Sequence, residues 1–503
     1  MKKKLLPLAI LAGLAGAAGT AQAVHVNDDG LGEVLIYPYY TVEGEQDTTF
    51  TIVNTTDRAK AVKVRLLEAM NSWEVIDFNL YLSPQDHWTG VITASDETDG
   101  AILVTPDTSC TVPAIPAEGA ELRNLLFSDN GGANDNADGG PSEVSRTREG
   151  YIEIIEMGTL DDTAPGQFGA EAAVTHTSSG VPSDCSVVVG GWETVPANSI
   201  DPNDIVGEWG PGQGGNTANM VFEDAGGLYG YGTIVNVTEG TNATYDAVAL
   251  DNFAATILHA RPGDTAPNLG SGIPNADIID GNTVVSAVFT ESLDAVTALF
   301  MHDTLSNDYV LDSVISAGTD WVVTMPTKNE YVNLPTAADP FLSVWDNGAA
   351  CEEVQFSQWN REEQTPGEDP IAGGVDFSPS PIPEDVVVTG FALCSEANVI
   401  SFFGPDVEKD ADGNPISGYS SALQPSGRVQ YGFDVEFENG WARLDLGQDA
   451  ASNPRTLTSD NAVTFSGLPV VGFAVQKFSN NTVGDGAFYA GVVSHKATRD
   501  ISN

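Results

Sequence analysis

Thr49-Phe50-Thr51-Ile52-Val53-Asn54, then Thr55-Thr56-Asp57-Arg58, then Ala61-Val62-Lys63-Val64-Arg65-Leu66 is the stretch whose pattern decides the fold class. On both sides of the polar tetrapeptide, apolar and polar residues alternate with a period of two and β-branched residues dominate. The three-four apolar spacing of a helix is absent, so the stretch reads strand, turn, strand. Further alternating runs follow at Val75–Leu82, which ends at Ser83-Pro84, at Trp88–Ile92 and at Ala101–Val104. Strands recurring roughly every ten residues predict an all-β chain of antiparallel β-sandwich domains, immunoglobulin-like in character, with long Gly/Asp-rich loops and few short helices.

Farther along, Ser128 to Gly140 holds no residue larger than Asn or Asp and reads as a long exposed loop. A strand pattern returns at Tyr151–Met157, and a second loop-rich region runs from Asp161 to Gly215. Thr233–Val237 and Tyr245–Leu250 flank the turn Glu239–Asn242, while Phe433–Phe437 and Trp441–Leu446 flank Asn439-Gly440, the strongest short hairpin signal in the chain. Thr319–Pro326 reads as a buried strand, and Leu468–Val475 with Ala487–Val493 as a closing pair. Short helices are expected only around Val248–His259 and Ser286–Leu299, where strands are equally compatible with the pattern. The division expected is a leader at 1–23, an N-terminal sandwich with a loop-rich insertion at 24–225 and a β-rich C-terminal domain at 226–503.

The leader reading rests on Lys2-Lys3-Lys4, an apolar run from Leu5 to about Ala18, and the small-x-small ending Ala21-Gln22-Ala23, the pattern of a secretory signal peptide cleaved after Ala23. The run is too short for a bilayer span and contains Pro7, Gly13 and Gly16, so no transmembrane segment is expected after cleavage. Export to the cell surface, the medium or the periplasm follows. Cysteine usage agrees: Cys110, Cys185, Cys351 and Cys394 in an exported chain favour two disulfides. Of the three connectivities, Cys110 with Cys185 and Cys351 with Cys394 closes the shortest loops. Among the 503 residues, 71 are acidic and 20 basic, a formal charge of -51, which excludes nucleic acid and anionic membrane as electrostatic partners. With 41 % hydrophobic residues the chain is too apolar for a disordered acidic tail.

Motifs of chemistry are sparse. Gly210-Pro211-Gly212-Gln213-Gly214-Gly215 matches a dinucleotide fingerprint letter by letter but lacks the strand before it and the helix after it, so it reads as a loop. Glu153 and Glu156 stand three apart in a strand pattern, pointing to opposite faces, and read as a solvated edge strand rather than a glycosidase pair. Asp410-Ala411-Asp412-Gly413-Asn414 places Asp410, Asp412 and Asn414 at alternate positions of a polar turn, as Ca²⁺ loops do, although Pro415 stands where an EF-hand needs Gly. Asp129 to Asp138 could hold an ion in the same way. Trp192 and Trp209 lie in Gly- and Pro-rich sequence and are candidates for stacking on sugar rings, against the plainer reading that they cap a sandwich edge. Trp73, Trp88, Trp321 and Trp441 fall in strand patterns and are expected in the core.

At Val26–Gly32, Val34–Thr41, Asn54–Asp57, Asp77–Pro84 and Thr319–Lys328 the chain resembles a family of exported proteins of Gram-negative bacteria known only as cell-surface proteins. The resemblance implies export and a surface position, and carries no catalytic residues. The function expected is thus a non-enzymatic structural or adhesive surface protein, with no cofactor beyond Ca²⁺ and with glycans or further copies of itself as partners. A secreted carbohydrate-binding or glycan-degrading protein is the first alternative. The second is a fibre subunit whose N-terminal strand, near Val34–Val42, completes a neighbour's sheet.

Overall fold

The alternating runs near the N-terminus become two sheets packed face to face, in a computed structural model that describes residues 22–129, 131, 136–196, 199, 201–223, 225–365, 388–404, 408–409, 415–417, 421–480 and 487–502. Sheet I runs, in spatial order, through His25–Val26, Val248–Asp251, Val34–Thr41, Glu149–Leu160, Lys60–Glu68, Glu74–Leu82 and Cys110–Val112. Sheet II runs through Thr241–Asp246, Tyr231–Asn236, Gln46–Asn54, His87–Ala94, Ala101–Val104 and Ala120–Glu121. Tyr37, Phe50, Val64, Leu80, Trp88 and Ile152 meet between them with no solvent exposure. Strands account for 44 % of the chain and helices for 10 %, so the all-β class expected from alternation is the class adopted.

A second sandwich follows. Sheet III is ordered Val388–Leu393, Glu352–Asn360, Asn439–Asp445, Thr304–Val310, Lys496–Thr498. Sheet IV is ordered Gln430–Asp434, Ala397–Phe403, Gly318–Thr324, Val471–Asn480, Ala487–Ser494, and its pairing of Ala397–Phe403 with Gln430–Asp434 is parallel, an exception among antiparallel ladders. Trp321, Phe356, Phe402 and Phe433 fill the space between sheets III and IV. The outer face of sheet IV is largely covered: Val322, Val399, Phe473 and Val475 join the core of the first sandwich, where Tyr245 stacks on Phe473 at 4.5 Å. Thr324 Oγ1 donates to Pro38 O at 2.6 Å, and the buried Asp320 accepts from Ser421 Oγ and from the Ala422 and Leu423 amides across this seam. The two sandwiches share one core.

Several expectations are corrected by this arrangement. The boundary between 225 and 226 does not follow the sheets, because Tyr231–Asn236 pairs with Gln46–Asn54 and Val248–Asp251 pairs with Val34–Thr41. The segment Val34–Thr41 is no donor strand for a neighbour, since it lies inside its own sheet with every residue buried. Asn439-Gly440 makes no hairpin: Gln430–Asp434 lies in sheet IV and Asn439–Asp445 in sheet III, so the connection crosses between sheets. Gly440 is needed for proximity instead, as a Cβ there would sit 2.0 Å from Trp359 O. Val248–Asp251 is a strand, and the helical reading near 286–299 resolves into the strand Thr283–Val288 and the helix Ser292–Phe300.

That helix, with Phe253, Phe289 and Phe465, covers the outer face of sheet I. Both faces of sheet I are thereby dry, and Glu149–Leu160 is buried over its whole length of 12 residues. Glu153 and Glu156 therefore do not belong to a solvated edge. They sit in a central strand and, as buried charges must, find partners: Arg65 Nη1 at 2.5 Å and Lys60 Nζ at 2.8 Å.

Two disulfides join Cys110 to Cys185 and Cys351 to Cys394. The first pins the short helix Ser186–Gly191 to the edge strand Cys110–Val112 across a separation of 75 residues. Loop-closure entropy assigns such a bond roughly 4 kcal/mol. Cys110→Ser/Cys185→Ser should accordingly lower the unfolding free energy measured in urea by about that amount, and a loss under about 1 kcal/mol would mean that aromatic packing alone holds the insertion.

Candidate functional site

The insertion between 161 and 220 holds the two tryptophans considered for sugar stacking, and its loops close over them, in line with the plainer reading that they cap a sandwich edge. Trp209 has no exposure and Trp192 is 7 % exposed. Trp209 stacks on Tyr81 at 5.5 Å and meets the edge of His259 at 4.6 Å, and Trp192 lies against both Trp209 and His259. Their indole nitrogens are spent internally, Trp192 Nε1 donating to Tyr81 Oη at 2.9 Å and Trp209 Nε1 to Ala218 O at 2.8 Å. Trp192 and Trp209 thus form a small aromatic core and offer no ring face to a sugar. The loop's glycines permit that packing, since a Cβ at Gly191 would lie 2.6 Å from the Trp209 ring.

Most deeply buried ionisable groups are likewise part of the fabric. Arg146 bridges two carboxylates, with Nε and Nη2 on Glu68 at 2.8 Å each and Nη2 on Asp138 at 2.9 Å, while its guanidinium lies 4.4 Å over the Phe127 ring. Asp138, which belongs to the stretch considered for an ion, is consumed by this bridge and by Trp73 Nε1 at 2.9 Å. Arg146 holds its carboxyl below the usual range against the opposing effect of burial. Lys328 is fully buried and donates to Cys394 O and Ser395 O; burial pushes its ammonium down, and Glu396 and Glu352 act in the other direction. Glu153 lines a polar cavity of about 200 Å³ with Glu291 and Glu330, and burial raises its carboxyl to about 7. Its Oε2 is held by Arg65, which ties it to the sheet. Among the described residues no group of three or more His, Cys, Asp or Glu is placed to hold a metal ion. The Ca²⁺ candidates Asp410, Asp412 and Asn414 lie outside the described residues, as do most of the leader and Asp135.

Sheet III presents a different surface. Its inner residues Val354, Phe356, Ala442 and Leu444 are buried, and alternation sends Gln355, Ser357, Trp359, Trp441, Arg443 and Asp445 to the opposite side. Register places Trp359 beside Trp441 and Trp441 beside Asp308; in the next rung, Ser357 lies beside Arg443 and Arg443 beside Ser306. The two indoles stack with centroids 4.1 Å apart and planes 14° apart, and the Arg443 guanidinium lies 5.4 Å from the Trp359 ring. Trp441 remains 41 % exposed, whereas Trp88 and Trp321 have no exposure and Trp73 is half-buried. The expectation that Trp441 is core is thus corrected. Parity could have found it, because Trp441 shares its strand face with Arg443 and Asp445, not with Ala442 and Leu444. Trp359 shows the same parity, sharing its face with Gln355 and Ser357, but only strand pairing brings it and Asp308 to Trp441.

Comparison with protein-family models, with curated proteins and with solved structures finds no match to this chain. Among the described residues no helix is long and apolar enough to cross a membrane.

Proposed function

We propose that the chain is an exported, non-enzymatic adhesive protein of the cell surface or extracellular space, which engages its partner through the outer face of sheet III. The observation that carries this reading is the stacked pair Trp359 and Trp441, left in water on a sheet whose other face is fully packed. An exposed indole forgoes a favourable burial, and aromatic residues set in a polar surround are the usual anchors of binding faces. Two disulfides suit an oxidising compartment, and the leader pattern and family resemblance point the same way. The shared core supports the reading mechanically, since it holds the face rigidly to the rest of the chain.

Purified chain added back to washed cells of the producing strain should sediment with them, and Trp359→Ala/Trp441→Ala should stay in the supernatant while keeping the parent's melting temperature within a few degrees. A double variant that sediments as well as the parent would overturn the assignment of the face, and recovery of the native protein from the cytosol would overturn the export.

A further inference from the structure

We infer that the partner at this face is a neutral glycan, one pyranose ring of which stacks on Trp441 while its hydroxyls bond to Asp308 and Ser306. The inference rests on the adhesive reading above and adds the chemistry of the ligand. One face of the Trp441 indole is covered by Trp359 at 4.1 Å. The other looks toward the neighbouring strand Thr304–Val310, where the residue in register is the much shorter Asp308. Strands lie about 4.8 Å apart, so the indole has an open slot one strand wide beside it, with a carboxylate at its foot. Asp308 is exposed, and among the described residues no hydrogen bond or ion pair engages its carboxylate.

A ligand for this slot must meet three demands together. It needs a flat apolar face for the indole, donors for an acceptor-only carboxylate, and groups that both donate and accept for Ser306, Ser357 and Arg443 in the adjoining rung. A pyranose satisfies all three, with axial C–H groups on its face and hydroxyls around its rim. A simple cation would use the indole and Asp308 but none of the second rung, where Arg443 would repel it. A uronate or sulfated polymer would meet a chain of formal charge -51.

The test incubates the full chain with neutral polysaccharides (a β-glucan, a galactan, a mannan), with polyuronate, with sulfated galactan and with chitosan, reading retention by pull-down and tryptophan fluorescence. At least one neutral polymer should retain the chain equally in about 0.05 M and about 1 M NaCl, since contacts free of net charge are insensitive to screening. Trp441→Ala and Asp308→Asn should each weaken that retention at least tenfold with unchanged far-UV circular dichroism. Retention by polyuronate, sulfated galactan or chitosan alone would overturn the inference. So would silence across the neutral panel while Trp359→Ala/Trp441→Ala still abolishes sedimentation with cells; in that case the adhesive face stands and its partner is not a glycan.

Discussion

Arg146→Ala should unfold with about 3 to 5 kcal/mol less free energy than the parent, the loss expected when one member of a buried ion cluster is removed and its partners stay behind. The side chain of Arg146 has no exposure, nor has that of Glu68, and Asp138 is 5 % exposed. Glu68 also accepts from the Met70, Asn71 and Trp73 amides at 2.7 to 3.1 Å, so it cannot turn toward water without dissolving the turn that follows its strand. Arg146→Ala/Glu68→Gln should be less destabilised than Arg146→Ala, because it leaves one stranded carboxylate instead of two while the new side-chain carbonyl can still accept from the Asn71 and Trp73 amides. Urea titrations of the three proteins decide the matter, and a loss under about 1 kcal/mol in Arg146→Ala would show that water reaches the cluster.

Stability should peak near about pH 4.5 and fall on either side. Burial raises the carboxyls of Glu33 and Glu153 to about 7 and that of Glu396 to about 8, from 4.5. Between pH 4.5 and those values the folded chain holds more protons than the unfolded one, so stability falls as pH rises. His259, His302 and His495 act oppositely: burial lowers them to about 4, 3 and 4 from 6.5, the unfolded chain takes the protons first, and stability falls as pH drops. Burial raises Glu74, Glu149, Glu156, Asp294 and Asp320 as well, so the carboxyls outweigh the histidines and stability falls with rising pH from the ordinary carboxyl range upward. Lys328, pushed down by burial, opposes the carboxyls on the alkaline side, Asp138 adds to the histidines in acid, and each well-buried group tilts the profile by roughly 1.4 kcal/mol per pH unit. Calorimetric melts from pH 4 to 9 measure the profile, and Glu396→Gln should flatten its alkaline limb. A melting temperature still climbing at pH 8 would contradict the assignment.

Strands were legible because alternation is a local property: Thr49–Asn54 and Ala61–Leu66 carry it in six residues each. Which sheet a strand joins was not. Asn439-Gly440 has the composition of a hairpin turn, yet its flanks part into different sheets, because Phe433 packs on Phe356 from one side while Ala442 and Leu444 pack from the other. Glu153 and Glu156 looked solvated since charge usually marks a wet face, and the helix that dries this one lies more than 130 residues downstream. Trp441 was misassigned for a related reason. Glycine-rich surroundings left sugar stacking open for Trp192 and Trp209 beside the plainer edge-capping reading, and there the glycines serve close packing; a strand pattern suggested burial for Trp441, where parity points outward.

The central position of Val34–Thr41 in sheet I also sets a timetable. Its partners are Glu149–Leu160 on one side and Val248–Asp251 on the other, with Val34 opposite Leu250. At 5 to 20 residues per second, the ribosome takes roughly 10 to 40 s to deliver the second partner after the strand itself has emerged. For that interval Val-Leu-Ile-Tyr-Pro-Tyr-Tyr-Thr is an unpaired apolar edge, the kind of segment that recruits other chains. Sheet I therefore cannot close on both sides of Val34–Thr41 until the chain has been made through Asp251, and the strand must be kept from other chains until then.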